Sequence, residues 1–187
     1  MNNKVFIADI KSVFPKAYLP DIAADMLFPA DKAGEKLNLY ARKIAKFLGI
    51  ETRFSVLDAD LFPKKKLSKK EYHPLHWGKQ ILGQFSNEID RKKIGFISVS
   101  YNISSHVDVL PNLACQLSLD ANLELDAMPE EIPYYGCAGG LFALRSAVEY
   151  CQKNQQAAYV YTFDQCSWIA NPIFDNKHPD FKTNLIT

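Results

Sequence analysis

IPYYGCAGGLFALRSAVEYC, residues 132–151, is the most informative stretch of the chain. An aromatic run ends at Gly136, Cys137 follows it, and Ala138-Gly139-Gly140 leads into a long apolar-periodic segment. From Leu141 onward, Leu144, Ala147, Val148 and Cys151 recur at spacings of three and four, predicting one buried helix face. Residues 132–135 are too few for a helix and read as a strand end. The expected order is strand, tight turn, cysteine, helix N-terminus.

A thiol in that position faces backbone N–H groups without intrahelical acceptors and the positive end of the helix dipole, both of which favour the thiolate. The thiolate is the nucleophile, and covalent acyl transfer is the chemistry a cysteine usually supports. Gly136, Gly139 and Gly140 keep side chains away, so that an acyl thioester could approach the backbone closely. The same spacing also fits a small buried core cysteine beside a helix-packing glycine pair. The motif by itself does not separate these readings.

Around this stretch the chain alternates strands and helices. Residues 5–10 (VFIADI) form a short apolar run that predicts a strand, and residues 11–20, with two prolines, a connection. A short helix is expected from Asp21, ended by Pro29. Leu37, Tyr40, Ala41, Ile44, Phe47 and Leu48 keep helical spacing, closed by Gly49. Lys36, Arg42, Lys43 and Lys46 occupy the other face of that helix. A helix after His73-Pro74 presents Leu75, Gly78, Ile81, Leu82, Phe85 and Ile89. Residues 94–100 (IGFISVS) are continuous enough for a strand buried on both faces, followed by a polar loop over 101–108. Pro111 suits the first turn of the next helix, which carries Leu113, Gln116 and Leu117. Residues 157–163 (AAYVYTF) are a third strand, and 166–187 lose periodicity among turn signals. The pattern predicts one α/β layered domain over residues 1–187 with a largely parallel sheet.

Composition narrows the function classes. With 187 residues and 48% apolar content, a packed core is expected. A net charge of +1 and a pI near 7.6 give no electrostatic footprint for nucleic acid. The basic run Lys64-Lys65-Lys66 with Lys69 and Lys70 reads as a solvated loop. The four cysteines, at 115, 137, 151 and 166, contain no C-x-x-C pair, so no metal site is expected. Cys115 and Cys151 fall on apolar helix faces and read as inert. Neither a signal peptide nor a membrane-spanning run is evident, so a cytoplasmic location is expected.

Three blocks in sequence order carry a resemblance. GCAGGLFALRSAVEYCQKN around Cys137 resembles the nucleophile segment of the thiolase superfamily, especially ketoacyl synthase III and the type III polyketide synthases. LGIETRFSVLD (residues 48–58) is similar to that family's Gly-Ile…Arg segment. IGFISVSYNISSHVDVLPNLACQLSLDANLEL (residues 94–125) is similar to its strand, Ser/Thr-rich loop and Pro-x-x-Ala-Cys helix. The resemblance implies a five-stranded half of the layered thiolase fold, with the last strand of that half missing. It implies that Cys137 is acylated from coenzyme A or an acyl carrier protein, with no bound cofactor, and that a Claisen-type condensation follows. It also offers Arg53, and more weakly the basic face of the 37–48 helix, as contacts for coenzyme A phosphates.

In that family the catalytic His and Asn lie in a second, similar half. None of His73, His76, His106 or His178 stands in a matching motif. The expected assembly therefore includes a companion chain carrying the other half, as a homo- or hetero-oligomer, because an unfinished sheet leaves an unpaired edge. The alternatives are a non-catalytic thiolase-like subunit that scaffolds a synthase complex, or a truncated remnant.

Overall fold

The computed structural model describes residues 4–57, 67, 69–85, 91–105, 110–169 and 177. The chain divides into two compact units, Phe14–Lys69 with Cys166–Thr187, and Met1–Val13 with Lys70–Gln165.

In the first unit, β1 (Lys16–Tyr18) pairs antiparallel with β2 (Arg53–Ser55), Ala17 opposite Phe54. Between them lie α1 (Pro20–Leu27), α2 (Ala30–Ala33) and α3 (Glu35–Phe47). Proline at the first position of α1 suits a site whose N–H has no helical acceptor. Ala24, Phe28 and Ala41 form a small core, with Leu27, Ala33 and Leu37 packed against it. Asn38, buried on α3, donates to the Asp25 carboxylate at 2.7 Å and to the Phe28 carbonyl at 2.8 Å. One Arg42 Nη donates to both Asp25 oxygens at 2.6 Å. The Asn38 hydrogen bond, with Arg42 beside it, holds the Asp25 carboxyl below its ordinary value.

The second unit is an α/β/α sandwich. Its elements are α4 (Pro74–Gln84), β3 (Ile94–Tyr101), α5 (Leu113–Asp120), β4 (Glu130–Pro133), α6 (Gly139–Asn154) and β5 (Ala157–Phe163). The three strands are parallel in the order β4-β3-β5. All eight residues of β3 are buried, as a central parallel strand covered on both faces requires. Alternate residues serve alternate faces. Phe96 stacks on Tyr150 of α6, and the Ser98 hydroxyl reaches the Glu130 carboxylate at 2.6 Å, which Ser146 of α6 also contacts. On the other face Tyr159 and Tyr161 donate their hydroxyls to the Gly78 and Pro74 carbonyls of α4, at 3.1 and 2.9 Å. Burial pushes both phenols well up from the usual tyrosine range. The Tyr101 hydroxyl and the Ala114 amide of α5 share Glu131.

The expected α/β class, the short helix before Pro29 and the strands at 94–100 and 157–163 are all present. Several expectations are corrected. Residues 5–10 form no strand: Phe6, Ile7 and Ile10 are exposed, and apolar β-propensity without a ladder partner does not make a strand. The connection over 11–20 holds β1. Pro111 precedes the helix, since Asn112 caps α5 by accepting from the Cys115 amide at 2.9 Å. The largest correction concerns α6. Its buried residues are Gly139, Ala143, Ala147 and Tyr150, whereas Leu141 is 70% exposed and Leu144 37%. Small residues let the helix lie close on the sheet, and that closeness outweighs the larger leucines. Ile89 and Lys64–Lys66 lie outside the described residues.

Candidate active site

The chain leaves β3 to β4 on one side, then crosses back through α6 to β5 on the other. Such a switch point opens a crevice beyond the carboxyl ends of the strands. There a cleft of about 270 Å³ is lined by Ser100, Tyr101, Asn102, Gly136, Cys137, Gly140, Thr162, Phe163 and Asp164. These residues are the ends of β3 and β5, the turn that follows β4 and the first turn of α6.

Cys137 sits in a single 3₁₀ turn, Gly136–Ala138, whose last residue caps α6. It is exposed and faces the cleft. Gly136 opens the turn at φ +59° with free space around its Cα, so its glycine meets a backbone demand. Gly139 and Gly140 meet a packing demand instead. A Cβ on Gly139 would lie 2.3 Å from the Ser100 hydroxyl, and one on Gly140 would lie 3.2 Å from the Thr162 methyl. Their missing side chains thus make room for β3 and β5 beneath the helix start. Gly136 and Gly140 both line the cleft, whereas Gly139 is turned onto Ser100 beneath the helix start.

The turn is tied to the sheet. The Gly136 amide donates to the Asn102 side-chain oxygen at 2.5 Å, and the Tyr134 amide to the Tyr101 carbonyl at 2.8 Å. Asp164, just past β5, accepts from the amides of Asn102 and Ile103 at 2.7 and 2.9 Å. Tyr101 and Phe163 stack at 5.1 Å on the cleft wall.

The other sequence candidates fall elsewhere. Arg53 is half-buried in β2, opposite Tyr18, whereas every described residue lining the cleft belongs to the unit that carries Cys137. Arg42 is engaged by Asp25, while Lys36, Lys43 and Lys46 are exposed. His73 caps α4 by accepting from the Leu75 amide at 3.3 Å, and His76 is exposed on that helix. His106 and His178 lie outside the described residues. Cys115 and Cys151 are half-buried and Cys166 is exposed. Burial pushes the Cys151 thiol up. Among the described residues no cluster of His, Cys, Asp or Glu has the arrangement of a metal site, and no helix is long and apolar enough to cross a membrane. Asn102, Asp164, Ser100 and Thr162 were not singled out by sequence. The signal that could have found them is topological, since the ends of parallel strands flank a turn leaving their neighbour.

No family model and no curated protein matches the sequence. Solved structures do. The type III polyketide synthase domain of Steely1, a type I/III hybrid from Dictyostelium, superposes with a TM-score of 0.68 at 16% identity, covering 94% of this chain and 50% of that one. PKS-I from the brown alga Ectocarpus siliculosus gives 0.66 at 14% identity, covering 92% and 50%. The tetronic acid condensing enzyme AbyA1 gives 0.61 at 15% identity, covering 91% and 47%. The chain spans about half the length of these solved chains. Likeness at such identity bears on the fold, which resembles one half of the fold of these solved chains.

Proposed function

We propose that Cys137 is the nucleophile of a carbon–carbon-bond-forming condensing enzyme. The observation that carries this reading is an exposed cysteine, in the turn before α6, opening on a cleft at the carboxyl ends of a parallel sheet with condensing-enzyme topology. The Cys137 thiolate attacks the carbonyl of an acyl-coenzyme A or acyl-carrier-protein thioester, and the carrier thiol departs with a proton. A second thioester loses its α-proton, or an α-carboxylate as carbon dioxide, and the resulting carbanion attacks the acyl-cysteine carbonyl, forming the carbon–carbon bond and expelling the thiolate. The Gly136 amide is engaged by Asn102, so the amides of Cys137 and Ala138 are the elbow donors assigned to the developing oxyanion.

The acid–base groups are assigned to a companion polypeptide supplying the other half of the fold, with a cytoplasmic location. Two observations support the companion. Among the described residues no imidazole lines the cleft. Beside the cleft, Tyr134, Tyr135, Leu141 and Phe142 are exposed at 68, 58, 70 and 42%. An apolar patch of that kind marks an interaction surface.

The test is incubation with an acyl thioester followed by intact-mass and peptide analysis, together with mass spectrometry of co-purifying chains. Acyl mass on Cys137, absent from Cys137→Ala, is the expected result. Acylation spread over all four cysteines would sink the nucleophile assignment. A non-catalytic scaffolding subunit is the second reading, favoured by the lack of an imidazole among the described residues that line the cleft. It predicts full activity of the complex with Cys137→Ser.

A further inference from the structure

We infer that Asn102, clamped by Asp164, is a positioning residue that fixes the orientation of the Cys137 turn. This inference rests on the proposed nucleophilic role of Cys137. The Asn102 side chain is used at both ends. Its oxygen accepts from the Gly136 amide at 2.5 Å and its nitrogen donates to Asp164 at 3.4 Å. Only one orientation of the amide satisfies an N–H on one side and a carboxylate on the other. The other Asp164 oxygen accepts the backbone amides of Asn102 and Ile103, so the carboxylate anchors the residue as well as its side chain.

The placement matters because Gly136 is the hinge of the turn. At φ +59° Gly136 lies in the left-handed region, with open space where a side chain would stand. The Asn102 acceptor supplies a restraint one residue before the thiol. It also joins the carboxyl ends of β3 and β5 to the turn after β4, three parts of the cleft. Neither Asn102 nor Asp164 is assigned contact with the reacting carbonyl. Their effect is transmitted through Gly136.

The residue types make a sharp test available. Asn102→Asp keeps an acceptor for Gly136 but sets two carboxylates against each other. Asn102→Asp combined with Asp164→Asn restores a donor–acceptor pair with the roles exchanged. The experiment uses the full chain, an acyl thioester of N-acetylcysteamine as the probe, and exchange of the Gly136 amide read by NMR. Asn102→Ala and Asn102→Asp are expected to lower the limiting rate of Cys137 acylation on the order of tenfold, as misorientation of a reacting group does. The half-saturating thioester concentration should stay within about twofold, because the clamp orients the thiol without holding the thioester. Iodoacetamide labelling of Cys115 and Cys151 should not change, and Gly136 exchange should accelerate. The exchanged pair should recover acylation to within about threefold of the parent.

Wild-type acylation rates in both single variants would overturn the inference while leaving the nucleophile assignment intact. Failure of the exchanged pair to recover, or to fold, would overturn it as well. Absence of Cys137 acylation in the parent chain would remove the proposed function, and the positioning role with it.

Discussion

Gly139→Ala tests the contact that sets α6 on the sheet. The added methyl would meet the Ser100 hydroxyl at 2.3 Å, a separation neither atom tolerates. That hydroxyl is not free to yield, because Ser100 is 3% exposed and its O–H donates to the Ile132 carbonyl at 3.1 Å. Swinging it away leaves a buried hydroxyl unpaired, at about 1–3 kcal/mol. Alanine in place of glycine returns about 1 kcal/mol of helix propensity. The expected net destabilisation is roughly 0–2 kcal/mol. In a Ser100→Ala background the obstructing oxygen is gone and the nearest Ser100 atom is the Cβ at 3.7 Å, an ordinary contact. There the same substitution should be neutral or stabilising, so the double-mutant cycle should give a coupling of about 2 kcal/mol. Urea unfolding of the four proteins, compared at constant m-value, measures this. Gly140→Ala is the control, since its 3.2 Å contact is with the Thr162 methyl at an exposed position and needs only a small shift. Equal losses from Gly139→Ala with and without the Ser100 hydroxyl would refute the packing argument.

Three further outcomes are expected. Tyr159 and Tyr161, like Tyr150 among the nine tyrosines, have phenols raised by burial, so their contribution to stability is full below the ordinary tyrosine range near 10 and is lost as pH climbs toward the folded values. Tyrosinate absorbance in an alkaline titration should therefore show these two ionising with unfolding, and early titration of all nine would contradict it. Asp25 shows the opposite sign: its lowered value contributes stability above the ordinary aspartate range near 3.8, lost as pH falls through the folded value. Asn38→Leu should move its NMR titration upward, and an unchanged midpoint would show that Asn38 is not the main cause. Cys151, with a thiol raised by burial, should label with iodoacetamide more slowly than an unfolded-chain cysteine at neutral pH, measured per peptide by mass spectrometry. Labelling at the unfolded-chain rate would mean the thiol is not screened.

Local chemistry made much of this protein legible from sequence. The run AAYVYTF is apolar and β-branched or aromatic enough to specify β5 with the bounds it has in the structure. IGFISVS likewise specifies a strand buried on both faces. Gly136-Cys137, between an apolar strand end and a long periodic segment, specifies a turn and a helix start, because positive φ and helix initiation are local properties. Sequence also carried the loose likeness to condensing enzymes, a likeness of architecture that the superpositions support.

Tertiary structure decided what depends on distance through space. Periodicity favoured Leu141 and Leu144 as the buried side of α6. Of the expected face Ala147 is buried, but Gly139, packed against Ser100, and Ala143 take the places of the leucines, since a helix lies nearer a sheet where its side chains are smallest. The partners of the Cys137 turn were equally invisible. Asn102 is 34 residues from Gly136, and the amides it and Ile103 present to Asp164 are 62 and 61 residues away. No local pattern encodes such pairs, because they meet only where the ends of parallel strands converge around the turn between them.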